Sequence, residues 1–267
     1  MPRLIKQSIV LAIVLTASFS IWLGLLVRNY TIPILMYHYI NEEEPLRSRL
    51  GVSPQTFRRQ MAFLKRHKYK VIPLEKVVDL IEHKKKIPFK TVAITFDDGY
   101  LDNYTNAYPI LKKYQLPATM FVVLNRIGKH LGNDDYMNWQ QIKELSASGL
   151  VTIGSHSMTH PNLSESISDA KLKYEIFESK KILEETLQKR IDFFSYPFGG
   201  VNPKARDFTR QAGYKACVGT NFHKGYPNND IYALKRLRIS ENSKNLFVFW
   251  IESSGLYTYI KEHRDAD

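Results

Sequence analysis

From Ile32 to Ile239 the chain alternates short apolar runs with longer amphipathic segments, and this alternation constrains the fold more than anything else in it. Pro33 to His38, Lys70 to Pro73, Thr91 to Phe96, Ala118 to Leu124, Val151 to Gly154, Asp192 to Tyr196, Lys215 to Gly219 and Leu234 to Ile239 read as strands. Helical segments fall between them. Ser53 reads as an N-cap ahead of Pro54, with Phe57, Met61 and Leu64 along one face. A helix is expected from Asn106 to Tyr114, and Trp139, Ile142 and Leu145 recur at helical spacing before a stop at Gly149. A long charged helix from about Ser168 buries Leu172, Ile176, Ile182 or Leu183, and Leu187. Strands that alternate with helices are joined by crossovers and lie parallel. Roughly six to eight such units suit a (β/α) barrel better than an open sheet.

The 267 residues are enough for one large α/β domain, and 44 % apolar residues supply its core. The net charge of +12 favours anionic surroundings such as wall polymers or acidic lipid headgroups. No nucleic-acid motif accompanies that charge, so no nucleic-acid partner is expected, and the sequence leaves the oligomeric state open. Cys217 is the only cysteine, which excludes an internal disulfide and a cysteine zinc site. It lies in the apolar run from Tyr214 to Val218, where a buried thiol is expected. Arg3 and Lys6 precede an uncharged, mostly apolar run from Ser8 to Val27, long enough to span a bilayer as a helix. Residues 1–30 therefore read as a single-pass membrane anchor and residues 31–267 as a domain outside the cell. A cleaved signal peptide and a secreted protein are the alternative, although the apolar run continues through Trp22, Leu25 and Leu26.

Three groups of residues follow strands, at the end where α/β folds build their sites. The first is Thr95-Phe96-Asp97-Asp98-Gly99, whose adjacent carboxylates repel unless a cation or proton intervenes. Asp-Gly is also a common turn pair. The second is Ser155 to His160, in which His156 and His160 can face one ion. Two His and one Asp make a donor set suited to zinc or a similar divalent ion. The third, Ser195-Tyr196-Pro197-Phe198-Gly199-Gly200, can present backbone N–H groups and an aromatic wall.

With these motifs in this order, the chain resembles the polysaccharide deacetylase family (the NodB homology domain, carbohydrate esterase family 4) over roughly Pro33 to Ile239. The Pro33-Ile34-Leu35-Met36-Tyr37-His38 and Tyr196-Pro197-Phe198-Gly199 segments resemble the poly-N-acetylglucosamine deacetylase branch. The resemblance implies a distorted (β/α) barrel of the NodB type that removes N-acetyl groups from an extracellular N-acetylhexosamine polymer. It implies Asp98, His156 and His160 as metal ligands, for zinc or alternatively cobalt or nickel. Asp97 would be the general base and His38 the general acid. Ser195 stands where the family usually has Arg, and Phe198 where Tyr is common. Arg236 is the candidate to supply the missing charge beside Asp97. Tyr196, Phe198 and Trp139 are the candidate substrate contacts, although Trp139 also fits a core position. An O-acetyl esterase and a glycan-binding pseudoenzyme are the alternative readings.

Overall fold

The computed structural model describes residues 31–44, 48–200, 202–220, 230–255 and 257, with scattered positions among the first thirty. The strands are β1 (Ile34–Tyr37), β2 (Lys70–Val71), β3 (Thr91–Phe96), β4 (Ala118–Val122), β5 (His130–Leu131), β6 (Asp134–Asp135), β7 (Val151–Ser155), β8 (Phe193–Ser195), β9 (Ala216–Gly219), β10 (Leu234–Lys235) and β11 (Leu237–Arg238). The order β10-β9-β8-β7-β4-β3-β1-β11 runs through parallel pairings, while β5 and β6 form a separate antiparallel hairpin. β3 starts against β2 at Thr91 and Val92 and ends against β4 at Thr95 and Phe96, which splays and distorts the sheet.

The Leu234–Ile239 segment is not the single strand its sequence suggests. β10 pairs with β9 at one edge, β11 pairs with β1 at the other, and only Arg236 lies between them. The chain thus steps from one edge of the sheet to the other across one residue, which nearly closes the barrel. Arg236 stays tied to the first edge by its N–H, which donates to Gly219 O at 2.9 Å.

Alternation along the strands divides the apolar residues into two groups. Ile34, Ala93, Phe121, Phe193, Ala216, Val218 and Leu234 share one cluster with Leu74, Val77, Val78 and Leu80. The intervening positions, among them Leu35, Tyr37, Ile94, Phe96, Met120 and Phe194, belong to the larger cluster shared with the helices. Two residues on from Ala93 and Phe193, the first face turns polar, at Thr95 and Ser195, and it remains so at Asp97 and Arg236; all four are buried.

The helices form where the caps dictate. α1 (Pro54–Arg66) is capped by Ser53, whose side chain accepts from Thr56 N, and it buries Phe57, Met61 and Leu64. Pro73 is the N-cap of α2 (Leu74–Glu82), so the expected strand from Lys70 stops at Val71. α3 (Tyr108–Tyr114) is preceded by a π-helical turn, Asn103–Ala107. α4 (Trp139–Ala147) carries a capping box between Asn138 and Gln141. The long helix from Ser168 is in fact α5 (Asp169–Lys173), a π-helical turn (Tyr174–Glu178) and α6 (Ser179–Leu187), which buries Leu183 rather than Ile182. α7 (Pro203–Gln211) and α8 (Leu246–Ser253) complete the set. No helix among the described residues is long and apolar enough to cross a membrane. The anchor expected over residues 1–30 falls largely on positions outside the described residues.

Candidate active site

The ends of β1, β3, β7 and β8, with Arg236, converge on one buried polar cluster. β3 ends at Phe96, so Asp97 and Asp98 emerge together, and Asp97 N–H donates to Tyr37 O at 3.0 Å. Asp98 then adopts φ 70° and Gly99 φ 79°. A Cβ on Gly99 would come within 3.1 Å of Val122, so glycine both permits the turn and fits the space. That turn sends the two carboxylates to different partners.

Asp97 is held by Arg236. Arg236 Nη1 donates to Oδ1 at 2.7 Å and Nη2 to Oδ2 at 2.5 Å, with the two side chains 1 % and 3 % exposed. Arg236 also donates to Ser195 Oγ at 2.8 Å and to Thr95 Oγ1 at 3.3 Å, and Ser195 Oγ donates to Asp97 Oδ2 at 3.3 Å. The small serine at position 195 leaves the guanidinium room to reach Asp97 from the closing strand. Burial pushes the Asp97 carboxyl up, but the Arg236 guanidinium more than offsets this and holds it below the usual carboxylate range.

Asp98 faces the histidines. One ligand atom each from Asp98, His156 and His160 lie within 4.8 Å of one another. His160 Nε2 is 3.3 Å and His156 Nε2 3.9 Å from Asp98 Oδ1. His156 Nδ1 lies 2.7 Å from Ser195 O, which can only accept, so the proton sits on Nδ1 and Nε2 offers a lone pair. His160 is kept neutral to about pH 3, chiefly by burial. Two neutral imidazoles and one carboxylate suit a divalent cation, and these residues fit a metal on that chemistry. Arg126, which no sequence motif singles out, places Nη1 3.3 Å from both Asp98 Oδ1 and Tyr136 OH.

His38 stands at the end of β1 and is 9 % exposed. Burial lowers its pKa, while Asp97 and Asp98 pull in the opposite direction. Its Nδ1 is buried without a hydrogen-bond partner among the described residues. Two asparagines fix the segment around it: Asn103 Nδ2 donates to His38 O at 2.7 Å and Asn106 Nδ2 to Ile40 O at 2.8 Å. Both lie in the π-helical turn, a detail invisible to periodicity.

The candidate substrate contacts divide. Phe198 is 61 % exposed, adopts φ 58°, and sets its ring 4.9 Å from that of His160. Tyr196 needs correction as a ligand contact. It is fully buried, its hydroxyl lies 3.1 Å from Thr209 Oγ1 and it donates to Tyr232 O at 3.2 Å. Its position one residue past β8 turns the ring toward the helix layer, where Phe194 also packs. Trp139 opens α4 and rests partly buried on the main core.

The family model for polysaccharide deacetylase matches residues 84–217. The Bacillus subtilis (strain 168) protein YxkH is 34 % identical over 223 residues, 83 % of this chain and 76 % of its own. The chain belongs to the polysaccharide deacetylase family. A Staphylococcus aureus (strain MRSA252) poly-β-1,6-N-acetyl-D-glucosamine N-deacetylase is 30 % identical over 201 residues, 72 % of this chain and 69 % of its own. Among solved structures, the Streptococcus pyogenes deacetylase PplD in complex with acetate matches with a TM-score of 0.72 and 31 % identity, over 82 % of this chain and 97 % of that one. IcaB from Ammonifex degensii matches with a TM-score of 0.70 and 25 % identity, over 84 % and 97 %. Enzymatic deacetylation and the NodB-type barrel follow from this membership.

Proposed function

We propose that this polysaccharide deacetylase removes N-acetyl groups from an extracellular N-acetylhexosamine polymer, poly-N-acetylglucosamine or peptidoglycan, with a divalent metal, zinc first, as cofactor. The observation that carries the reading is the division of labour between adjacent carboxylates: Asp97 locked to Arg236, Asp98 turned to His156 and His160. Poly-N-acetylglucosamine is favoured by the staphylococcal relative, whose name gives that polymer as its substrate.

A metal held by Asp98, His156 and His160 would supply Lewis acidity, activating water and polarising the acetamide carbonyl. Asp97 is placed to accept the proton of the attacking water, and its two bonds to Arg236 fix its orientation. Its depressed pKa keeps it ionised across the working pH range, at some cost in basicity. His38 would protonate the leaving amine. Burial lowers its pKa, and the charges of Asp97 and Asp98 offset only part of that. Negative charge developing on the substrate adds to theirs, so the ring is most basic when the amine must leave. Phe198 forms an exposed wall beside His160 for the sugar ring.

The apolar run from Ser8 to Val27 tethers the domain to the membrane with residues 31–267 outside, or, if it is cleaved, the domain is secreted. Two measurements test the reading. The first is acetate release by the detergent-solubilised full chain from poly-N-acetylglucosamine, chitin oligomers, peptidoglycan and an O-acetylated glycan, with Zn²⁺ or Co²⁺ added. Release is expected to require metal and to be abolished by Asp97→Asn. Release from O-acetylated glycan alone would make the protein an O-acetyl esterase, and metal binding with no release at all would make it a glycan-binding protein. The second is fractionation of expressing cells, where recovery of the protein only in the soluble cytoplasm would overturn the tether and the extracellular placement.

A further inference from the structure

We propose that Glu175, far from the reacting atoms, is the positioning residue of the metal centre, clamping the loop that carries His156 and His160. The inference deepens the metal-dependent reading above and rests on it. The loop following β7 has little regular structure of its own. Ser157 and His160 both adopt left-handed backbone, at φ 68° and 63°, conformations that L side chains disfavour and that must be imposed from outside. Inside the loop, His160 N–H donates to Ser157 Oγ at 2.9 Å and Ser157 N–H to Ser155 Oγ at 3.2 Å. These bonds close the turn and leave its middle, Thr159, to be held by something else.

Glu175 holds it. The side chain is fully buried, Oε2 accepts Thr159 N–H at 2.8 Å, and Oε1 accepts the Thr159 hydroxyl at 2.5 Å. Lys171, one turn earlier, sets Nζ 2.8 Å from Oε1 and 3.3 Å from Thr159 Oγ1. A carboxylate is costly to bury unless each oxygen is bonded, and here both are. Three donors, two of them from the residue just before a metal ligand, form a grip that an apolar side chain cannot reproduce.

The backbone around Glu175 is built to deliver it. It lies in the π-helical turn between α5 and α6, and such turns often mark functional sites. A second connection runs from the start of α6, just beyond the turn, to the end of β7. Ile176 O accepts from Ser179 Oγ and from Tyr214 OH, each at 3.1 Å, and Ser155 Oγ donates to Ser179 Oγ at 2.9 Å. The turn thus grips the ligand loop at Thr159, next to His160, and the first residue of α6 holds Ser155 at the end of β7, just before His156.

Groups that orient metal ligands from behind typically change metal affinity by about 10- to 100-fold when altered. Glu175→Gln in the full chain, which keeps the shape but loses the charge and one acceptor, is expected to weaken zinc binding by about 10- to 100-fold in competition with a chromophoric chelator. Thr159→Val is expected to do the same, and Thr159→Ser, which restores the hydroxyl, to recover most of the affinity. Combining Glu175→Gln with Thr159→Val should cost little beyond either change alone. A lower melting temperature in metal-free Glu175→Gln with zinc affinity within about twofold of the native chain would show a merely structural residue and overturn the proposal. If Glu175→Gln fails to fold, Thr159→Val and Thr159→Ser decide the matter, since equal affinities for the two would remove the clamp. Failure of the native chain itself to bind zinc would overturn the metal reading along with it.

Discussion

Replacing Arg236 with Met keeps a side chain of similar length and removes the charge that faces Asp97. Both partners are almost fully buried and joined by two short hydrogen bonds. Taking away one member of such a pair leaves an uncompensated buried charge, which typically costs about 3–5 kcal/mol. Ser195 Oγ and Thr95 Oγ1 would lose their bonds to the guanidinium as well. In a domain of this size each kcal/mol moves the melting temperature by about 2–4 °C, so Arg236→Met should melt roughly 6–20 °C below the native chain at neutral pH. The sign of the pH dependence follows from Asp97, whose folded pKa lies below its unfolded one. Its contribution is fully present above the unfolded value and is lost as pH falls through the folded one. The gap between native and variant melting temperatures should therefore narrow in acid. Adding Asp97→Asn to Arg236→Met should recover part of the loss, because the orphaned charge is gone. Thermal melts of the three proteins at neutral and acid pH make the test. An Arg236→Met variant that melts within about 2 °C of the native chain, less than 1 kcal/mol, would refute the buried-pair argument.

Further outcomes can be checked with equally simple tools. Asp102, pushed up to about 6 by burial, should titrate near that pH in carboxyl-carbon NMR, and a value near 4 would contradict its desolvation. Because its pKa is raised on folding, its contribution to stability is present in full below the unfolded value and is lost as pH rises through 6. Cys217 is buried and its thiol pushed up to about 12, so it should react with a disulfide reagent only after unfolding. Gly199→Ala should destabilise the domain by at least about 1 kcal/mol in denaturant titration, since φ is 76° and a Cβ would collide with Thr220. Zinc binding should weaken as pH falls towards 3, where His160 starts to take up a proton that competes with the metal, and an affinity unchanged down to that pH would exclude His160 as a ligand.

The strand-and-helix alternation was readable because each buried strand is a short apolar run bounded by its own caps, as with Ser53 ahead of α1 and Gly149 after α4. The π-helical turns were not: an extra residue in one turn leaves the surrounding apolar spacing almost unchanged, yet it aims Asn103 and Glu175 at the active-site loops. Tyr196 was misread for a related reason. Its motif fixes it at a strand end, but the ring's direction depends on which layer that strand face meets.

The strand-end motifs and their order are legible in the chain alone, since Asp97 and Asp98, or His156 and His160, lie so near in sequence that their spacing survives any packing of the rest. How they combine depends on the folded arrangement of the strands. Arg236 lies 139 residues from Asp97 and meets it because the chain steps across the barrel's closing edge at that residue. Contacts between residues so far apart depend on strand order and closure, and these are set by how the whole apolar surface is buried.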